Sequence, residues 1–154
     1  MSTVIGRAAP AFTAPSTDGE ISLKELKGRI VVMYFYPRDN TPGCTTEGQN
    51  FRDRYADFQA AGAQVLGVSR DTLASHQKFK EKQGFPFPLI ADPEEKLCEL
   101  YGVMKMKNMY GKQVRGIERS TFLIDAQGKL RQEWRGVKVP GHVDAVLEAV
   151  RALA

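Results

Sequence analysis

Hydrophobic residues in this chain follow two spacings, one typical of strands and one typical of helices. Residues 30–36, "IVVMYFY", are uninterruptedly apolar and rich in β-branched and aromatic side chains, which predicts a strand buried on both faces of a sheet. Farther along, Phe51, Tyr55 and Phe58 recur at spacings of four and three, which predicts one long amphipathic helix over residues 42–60. The core of the chain therefore begins with a strand followed by a helix.

The same two patterns continue to the end of the chain. Further strands are predicted at residues 63–69, 87–92, 119–125 and 129–136, and further helices at residues 73–83, 92–101 and 141–153. Thr72 is a candidate cap for the second helix, and Asp92 followed by Pro93 is a candidate start for the third. The Lys-, Met- and Gly-rich segment that comes after the third helix is predicted to be a loop.

Strands and helices that alternate, followed by a hairpin and a last helix, predict an α/β protein. An Asp18-Gly19 turn between short alternating segments adds a small N-terminal β-hairpin. The element order is that of a thioredoxin-like fold, with a central mixed sheet and helices on both faces. Because the chain has 154 residues and 42% hydrophobic content, residues 1–154 are expected to form a single domain with its own core.

Charge and composition disfavour several classes of function. The 22 basic and 18 acidic side chains give a net charge of +4 and are interspersed along the chain, so neither nucleic acid nor a membrane is an expected partner. The longest apolar run is too short to span a membrane, and the N-terminus "MSTVIGRAAP" lacks the layout of a signal peptide. We therefore expect a cytoplasmic protein whose cysteines are reduced.

Cys44 has more distinctive surroundings than the other cysteine, Cys98. It follows the turn sequence Thr-Pro-Gly, which predicts a helix start with Thr41 as its cap and Cys44 in the first turn. Amide N–H groups without helical partners, together with the helix dipole, favour a thiolate at this place. The neighbouring residues are polar, so a reactive cysteine is favoured over an inert, buried one.

An activated thiolate at Cys44 also requires a nearby cation, because a helix N-terminus stabilises an anion by only about 0.3 to 1 kcal/mol. Arg119 is the first candidate, since its strand is expected to run antiparallel to residues 30–36 and to begin beside the Cys44 turn. Arg38 lies on the exposed turn and Arg115 in the predicted loop, so both rank behind Arg119.

The spacing of potential ligands disfavours a zinc or iron–sulfur site. The two cysteines are far apart in the sequence, and His76 and His142 are interpreted as ordinary helix-surface residues. The sequence has no Cys-x-x-Cys motif and no glycine-rich phosphate loop, which disfavours a dithiol oxidoreductase and a phosphate-binding protein. The residues therefore disfavour a metal site, a dithiol site and a phosphate-binding loop.

Residues 37–44, "PRDNTPGC", resemble the Pro-x-x-x-Thr-x-x-Cys signature of peroxiredoxins, and "TPGCTTE" is similar to the bacterioferritin comigratory protein or peroxiredoxin Q branch. "RSTFLID" resembles the family segment that carries the active-site arginine, and "ADPEEKLCELYGV" resembles the segment before the middle loop. Nearly the whole chain follows in the same order. The resemblance implies a thiol-dependent peroxidase that needs no cofactor and contributes to antioxidant defence and redox homeostasis.

The resemblance also implies roles for individual residues. Cys44 would be the peroxidatic cysteine, which attacks hydrogen peroxide or an organic hydroperoxide and becomes a sulfenic acid. Thr41 would hydrogen-bond the peroxide and the thiolate, and Arg119 would hold both electrostatically. Pro37 would shield the sulfenic acid from solvent, and the backbone amides of Gly43 and Cys44 would complete the pocket.

One position departs from the pattern of this branch. Many of its members carry a resolving cysteine five residues after the peroxidatic one, and that position here is Gln49. Either an external thiol such as thioredoxin or glutaredoxin reduces the sulfenic acid, or Cys98 serves as an unusual resolver. Cys98 lies in a predicted helix, in keeping with a half-buried packing role, and a bond to Cys44 requires Cα atoms within about 7 Å.

Two other functions remain compatible with the sequence. A redox-sensing binding protein would use oxidation of Cys44 to change a partner interface, whereas a non-catalytic thioredoxin-like scaffold would leave Cys44 unreactive. Measuring peroxide turnover distinguishes the redox-sensing protein from an enzyme. Measuring the alkylation of Cys44 as a function of pH distinguishes the non-catalytic scaffold from a protein with a reactive cysteine. By analogy with relatives in this branch, and because no long exposed apolar strand is predicted, we expect a monomer.

Overall fold

The computed structural model describes residues 3–154, which form a seven-stranded sheet, a separate two-stranded sheet and five α-helices. The strands are β1 (Thr13–Ser16), β2 (Gly19–Ser22), β3 (Ile30–Phe35), β4 (Ala63–Ser69), β5 (Leu89–Ala91), β6 (Met104–Met109), β7 (Lys112–Ile117), β8 (Ser120–Ile124) and β9 (Leu130–Arg135). The helices are α1 (Pro42–Asp53), α2 (Tyr55–Ala60), α3 (Leu73–Gln83), α4 (Lys96–Leu100) and α5 (His142–Leu153), with a 3₁₀ turn at Leu23–Leu26. None of the helices in this part of the chain is long and apolar enough to cross a membrane.

The large sheet is mixed, in the order β2-β1-β5-β4-β3-β8-β9. β3 pairs in parallel with β4, which pairs in parallel with β5, and β3 pairs antiparallel with β8. The N-terminal hairpin β1–β2 joins the edge of this sheet through Ser16, which lies opposite Ile90. The predicted mixed sheet, the N-terminal hairpin and the antiparallel pairing of the "RSTFLID" strand with residues 30–36 are therefore confirmed.

Alternate residues of β3 contribute to two separate hydrophobic cores, one on each face of the sheet. Val32 and Tyr34 belong to the core that contains residues of α1, α2, α3 and α5. Val31 and Met33 belong to the core that contains residues of α4. Every residue of β3 is buried, and burying a large apolar side chain stabilises the fold by about 1.5 to 3 kcal/mol. Apolar residues are therefore favoured at every position of the strand, and the sequence does not alternate between apolar and polar.

The predicted helix over residues 42–60 is two helices in the structure. α1 ends at Asp53, and Arg54 adopts φ −104° and ψ 4° before α2 begins at Tyr55. Phe51 and Phe58 nevertheless pack in the same core, with ring centroids 5.7 Å apart. The apolar spacing thus predicts which face is buried, but it does not report the backbone conformation of an intervening polar residue.

α4 begins later than predicted, at Lys96 rather than after Asp92. The residue before it, Glu95, has a left-handed φ of 63°. The Asp92 carboxylate still satisfies the start of the helix, because it accepts hydrogen bonds from the amides of Leu97 at 3.1 Å and Cys98 at 2.8 Å. The capping chemistry was therefore predicted at the correct residue, and only the position of the first helical turn was wrong.

The predicted Lys-, Met- and Gly-rich loop is a β-hairpin in the structure. β6 and β7 pair antiparallel along their whole length. Tyr110 and Gly111 form the turn with φ values of 54° and 80°, the left-handed conformation that a tight two-residue turn needs. Because most side chains of both strands are exposed or half-buried, the hydrophobic alternation that indicates a strand is missing from this segment.

Candidate active site

The turn between β3 and α1 brings Cys44 to the carboxyl ends of the parallel strands. The Tyr36 amide donates to the Val68 carbonyl at 3.0 Å, which joins the end of β3 to β4. Thr41 is the N-cap of α1 with φ −81° and ψ 151°, and Pro42 is its first residue. The helix start predicted from the Thr-Pro-Gly sequence is therefore confirmed.

Cys44 lies in the first turn of α1 and is only 1% exposed. The helical hydrogen bond from the Thr45 amide to the Thr41 carbonyl, 2.9 Å long, is the first at this end of α1. The amides of Gly43 and Cys44 precede it and lack a carbonyl one turn back. The Thr41 hydroxyl donates to the Arg38 carbonyl at 3.0 Å. These amides and the positive end of the helix dipole favour a negative charge at this place.

Arg119 brings a positive charge to Cys44. It directly precedes β8, in which Ser120 lies opposite Phe35 at the end of β3. Its Nη2 lies 3.4 Å from Cys44 Sγ, and its Nη1 lies 2.6 Å from Glu47 Oε1. Burial lowers the pKa of Arg119, but the charges of Glu47 and Cys44 raise it by more, so the guanidinium remains charged. The cation predicted beside Cys44 is therefore in place.

Glu47 is a buried acid of the site that the sequence analysis missed. It lies one turn after Cys44 on the same side of α1 and is 0% exposed. Burial raises its pKa to about 7, although the charge of Arg119 opposes the shift. Among residues 3–154, its Oε2 has no hydrogen-bond partner. The Cys-x-x-Glu spacing was the available signal, because residues three apart on a helix are neighbours.

The other predicted residues lie around a cleft beside the Cys44 turn. Pro37, Thr41 and Arg38 line this cleft from the turn, and Arg115 lines it from β7. Arg115 Nη2 forms an ion pair with Glu95 Oε1 at 2.9 Å. The contacts agree with the predicted ranking of the arginines, since the one that contacts the sulfur is the one ranked first.

Asp39, in the middle of the turn, is held by a buried polar network that the sequence analysis also missed. Its Oδ1 accepts a hydrogen bond from the Tyr36 hydroxyl at 2.7 Å. Its Oδ2 accepts from the Ser75 hydroxyl at 2.8 Å and lies 2.7 Å from His76 Nδ1. His76 Nε2 lies 2.9 Å from the Ile90 carbonyl. The network therefore fastens the Cys44 turn to the first turn of α3.

Both histidines are buried, so the prediction that they lie on helix surfaces is wrong. His76 is 0% exposed and His142 is 7% exposed. His142 Nε2 lies 2.8 Å from Thr121 Oγ1, and burial, assisted by the charge of Arg119, lowers the pKa of His142 to about 4. Buried imidazoles are satisfied by partners that are distant in the sequence, and spacing along the chain does not reveal such partners.

Three residues of this network come close to the arrangement of a metal site. One ligand atom from each of Asp39, Asp71 and His76 lies within 4.8 Å of the other two. Asp71 Oδ2, however, already accepts hydrogen bonds from the Asp39 amide at 2.9 Å and from the Ser69 hydroxyl. Hydrogen bonding within the protein therefore accounts for why these groups are clustered.

The two cysteines belong to the cores on opposite faces of the large sheet, Cys44 with α1 and Cys98 with α4. Cys98 is 0% exposed, which is more deeply buried than predicted. Burial, and secondly a hydrogen bond with Asp92, raises the pKa of its thiol. Gln49, at the position expected for a resolving cysteine, donates a hydrogen bond from Nε2 to Gln83 Oε1 at 3.0 Å.

Comparison with known proteins gives matches over nearly the whole chain. Residues 5–133 match the model of the AhpC/TSA family. The chain is 56% identical over 154 residues to the peroxiredoxin Bcp of Xanthomonas campestris pv. campestris, covering 98% of this chain and 96% of that protein. It is 50% identical over 148 residues to a putative peroxiredoxin of Coxiella burnetii, covering 96% of this chain and 98% of that protein.

Solved structures of similar proteins have the same fold. A cysteine-to-serine variant of Xanthomonas campestris peroxiredoxin Q superposes with a TM-score of 0.91 at 50% identity and covers 100% of both chains. The BcpB protein of Mycobacterium tuberculosis superposes with a TM-score of 0.86 at 30% identity and covers 99% of both chains. Given this likeness in sequence and structure, the chain belongs to the AhpC/TSA family and is a peroxiredoxin similar to its Bcp, or peroxiredoxin Q, members.

Proposed function

We propose that this chain is a thiol-dependent peroxidase that reduces hydrogen peroxide and organic hydroperoxides at Cys44. The observation that carries this proposal is the Arg119 guanidinium 3.4 Å from Cys44 Sγ at the N-terminus of α1. The thiolate attacks one peroxide oxygen, an S–O bond forms and the O–O bond breaks. The sulfur is oxidised to a sulfenic acid, and the leaving oxygen takes a proton to give water or an alcohol.

Each residue around the sulfur has a separate role in this reaction. Arg119 stabilises the thiolate and the negative charge that develops on the leaving oxygen. The amides of Gly43 and Cys44 donate to the bound peroxide, and the Thr41 hydroxyl does the same after rotating away from the Arg38 carbonyl. Pro37, half-buried in the turn, limits the access of solvent to the sulfenic acid.

The names of similar proteins support this reaction class. A structure of the Xanthomonas campestris bacterioferritin comigratory protein, 50% identical over 97% of this chain with a TM-score of 0.90, was determined in connection with its alkyl peroxide reduction activity. That activity supports organic hydroperoxides as substrates of this chain. The redox-sensing and scaffold alternatives are not favoured, because the similar curated proteins are named peroxiredoxins.

We further propose that the enzyme is recycled by an external thiol in a one-cysteine cycle. Gln49 cannot form a disulfide, and Cys98 belongs to the core on the far face of the sheet. A thiol of thioredoxin, glutaredoxin or a small molecule attacks the sulfenic acid, and a second thiol then releases Cys44. Cytoplasmic localisation and a monomeric state fit this cycle and remain part of the proposal.

The test of the peroxidase reaction is consumption of hydrogen peroxide in the presence of a dithiol reductant. We expect Cys44→Ser to abolish turnover and Cys98→Ser to retain it. If wild type is no faster than Cys44→Ser, the proposed function is wrong.

Intact-mass analysis after one equivalent of peroxide tests the one-cysteine cycle. We expect the mass to rise by one oxygen, located on the Cys44 peptide. A loss of two hydrogens together with a Cys44–Cys98 peptide would instead make Cys98 the resolving residue.

A further inference from the structure

The cleft beside the Cys44 turn has a volume of about 230 Å³ and lies between this turn and the β6–β7 hairpin. Pro37 and Thr41 line it from the turn, and the apolar side chains of Met109 and Val114 line it from the hairpin. This volume is smaller than that of pockets that hold drug-sized ligands. The cleft therefore has room for a small molecule beside the turn that leads to Cys44.

The polar lining of the cleft is cationic. Arg38, Arg70, Lys107 and Arg115 line it, and none of the described lining residues is acidic. Arg70 forms an ion pair with Glu95 at 3.0 Å, and Arg115 forms ion pairs with Glu95 at 2.9 Å and with Glu99. Within residues 3–154, Lys107 and Arg38 form no ion pair with a carboxylate, whereas the nearby Lys105 pairs with Glu118 at 2.7 Å. Two positive charges in the cleft thus lack a partner of opposite sign.

Lys107 is held over the cleft rather than extended into solvent. Its Cδ atom lies 3.5 Å from the position that a Cβ on Gly116 would take, so the aliphatic stem lies along the hairpin. Its Nζ donates a hydrogen bond to the Ile117 carbonyl. The side chain is half-buried. The ammonium group therefore has a defined place, with two further protons available for a ligand.

Lys107 is also electrostatically linked to the reactive centre. Burial, followed by the charge of Arg119, lowers the pKa of Lys107, while the charge of Cys44 and, more weakly, that of Glu118 raise it. A half-buried cation that is close to other cations and has no carboxylate partner is stabilised by an anionic ligand. The position therefore favours a ligand that carries a negative charge.

We propose that Lys107 and Arg38 form a carboxylate-binding subsite at the entrance to the Cys44 site. This proposal rests on the proposed function, since the ligand is a co-substrate that reacts at Cys44. The carboxylate belongs either to an organic hydroperoxide or to a small thiol that reduces the sulfenic acid. In both cases the apolar wall formed by Met109 and Val114 contacts the hydrocarbon part of the molecule.

Alkylation of reduced Cys44 by iodoacetate and by iodoacetamide tests the subsite without requiring peroxidase activity. The two reagents differ chiefly in that only iodoacetate carries a carboxylate. We expect Lys107→Gln to lower the iodoacetate-to-iodoacetamide rate ratio about three- to tenfold, the effect of one charge several ångströms away. Lys107→Arg should restore most of the ratio.

Lys112→Gln is the matched control, because Lys112 is an exposed lysine of the same hairpin and does not line the cleft. It changes the net charge by the same amount and should leave the ratio unchanged. The rates are measured from the mass of the Cys44 peptide, which separates this cysteine from Cys98. A ratio that is unchanged in Lys107→Gln, or that falls equally in Lys112→Gln, overturns the proposal.

Two pairs of co-substrates identify the source of the carboxylate. Cumene hydroperoxide is compared with its para-carboxylate analogue in the oxidation of reduced enzyme, and mercaptoacetamide with mercaptoacetate in the reduction of oxidised enzyme. If Lys107→Gln lowers the reaction rate only for the carboxylate member of one pair, the subsite is assigned to that co-substrate. If the rate falls in this way in both pairs, the subsite is assigned to both co-substrates. A loss in neither pair overturns the proposal, whereas failure of the peroxidase assignment would show separately as equal turnover by wild type and Cys44→Ser.

Discussion

At the scale of single residues, the backbone at Gly43 and the guanidinium of Arg119 are in close contact. A Cβ on Gly43 would lie 3.2 Å from Arg119 Nη2, a distance that requires the guanidinium to move by a few tenths of an ångström. That guanidinium contacts both Cys44 Sγ and Glu47 Oε1. The absence of a side chain at Gly43 therefore sets where the positive charge sits relative to the sulfur.

Gly43→Ala is expected to lower the second-order rate constant for hydrogen peroxide about tenfold, because a loss of about 1.4 kcal/mol in transition-state stabilisation has this effect. The free energy of unfolding should stay constant or rise by up to about 1 kcal/mol, since alanine favours a helix more than glycine does. Stopped-flow oxidation and urea unfolding measure the two quantities.

Thr46→Ala, at an exposed position of the same helix, is the control for Gly43→Ala and should leave the peroxide rate unchanged. A Gly43→Ala enzyme that reacts as fast as wild type would show that the position of the guanidinium is not critical.

Several positions of the site could be predicted from the sequence because the relevant signals are local. The start of α1 after Thr41 follows from the Thr-Pro-Gly sequence, although the Thr41 side chain makes no capping hydrogen bond, and Arg119 follows from the antiparallel pairing of its strand with β3. The spacing of Glu47 from Cys44 is a local signal for its position, but the burial of Glu47 and of His76 could not be predicted in the same way. Their burial depends on Arg119 and Asp39, partners that lie 72 and 37 positions away in the sequence.

At the scale of the elements, the Cys44 turn is fastened to α3 through Asp39. The carboxylate accepts from Tyr36 and Ser75 and contacts His76, and all but Ser75 are buried. Removing one partner of such a network leaves the others unsatisfied in a medium where they cannot reach water. The position of the turn therefore depends on an element that is far from it in the sequence.

Asp39→Ala is expected to lower the free energy of unfolding by about 2 to 4 kcal/mol, because it leaves buried donors without an acceptor. Asp39→Asn keeps the shape and part of the hydrogen bonding, so its loss should be clearly smaller. Urea unfolding of the three proteins gives the values. Equal losses in the two variants would contradict this interpretation of the network.

The β6–β7 hairpin was predicted to be a loop because it has almost no buried face. The sequence predicts β3 and α1 because apolar residues mark their buried faces, whereas the side chains of β6 and β7 are mostly exposed or half-buried. The hairpin is defined by its backbone pairing and by the left-handed turn at Tyr110 and Gly111. Hydrophobic spacing reports burial, and an element without a buried face gives little signal.

At the scale of the whole molecule, two buried groups give stability opposite dependences on pH. The pKa of Glu47 is about 7 in the folded chain against an ordinary 4.5, so the unfolded chain ionises first and stability falls as pH rises from about 4.5 to about 7. The pKa of His142 is about 4 against an ordinary 6.5, so its contribution is present above about 6.5 and is lost as pH falls towards 4. The two slopes oppose each other between about 4.5 and 6.5.

Glu47→Gln and His142→Gln should therefore change the pH profile of stability in opposite directions. As pH rises from about 4.5 to 7, the free energy of unfolding of Glu47→Gln should increase by about 2 to 4 kcal/mol relative to that of wild type. As pH rises from about 4 to 6.5, the free energy of unfolding of His142→Gln should decrease by a similar amount relative to that of wild type. Urea unfolding at a series of pH values measures both differences. Differences that do not vary with pH would contradict the assigned protonation states.

The placement of the two cysteines on opposite faces of the sheet has a kinetic consequence. A resolving cysteine in the same chain reacts in a first-order step, at a rate that dilution does not change. Here the sheet separates the sulfenic acid from the other thiol of the chain, so we expect its decay to be second order and proportional to the concentration of thiol outside the protein. The lifetime of the oxidised enzyme is then inversely proportional to the thiol concentration around it.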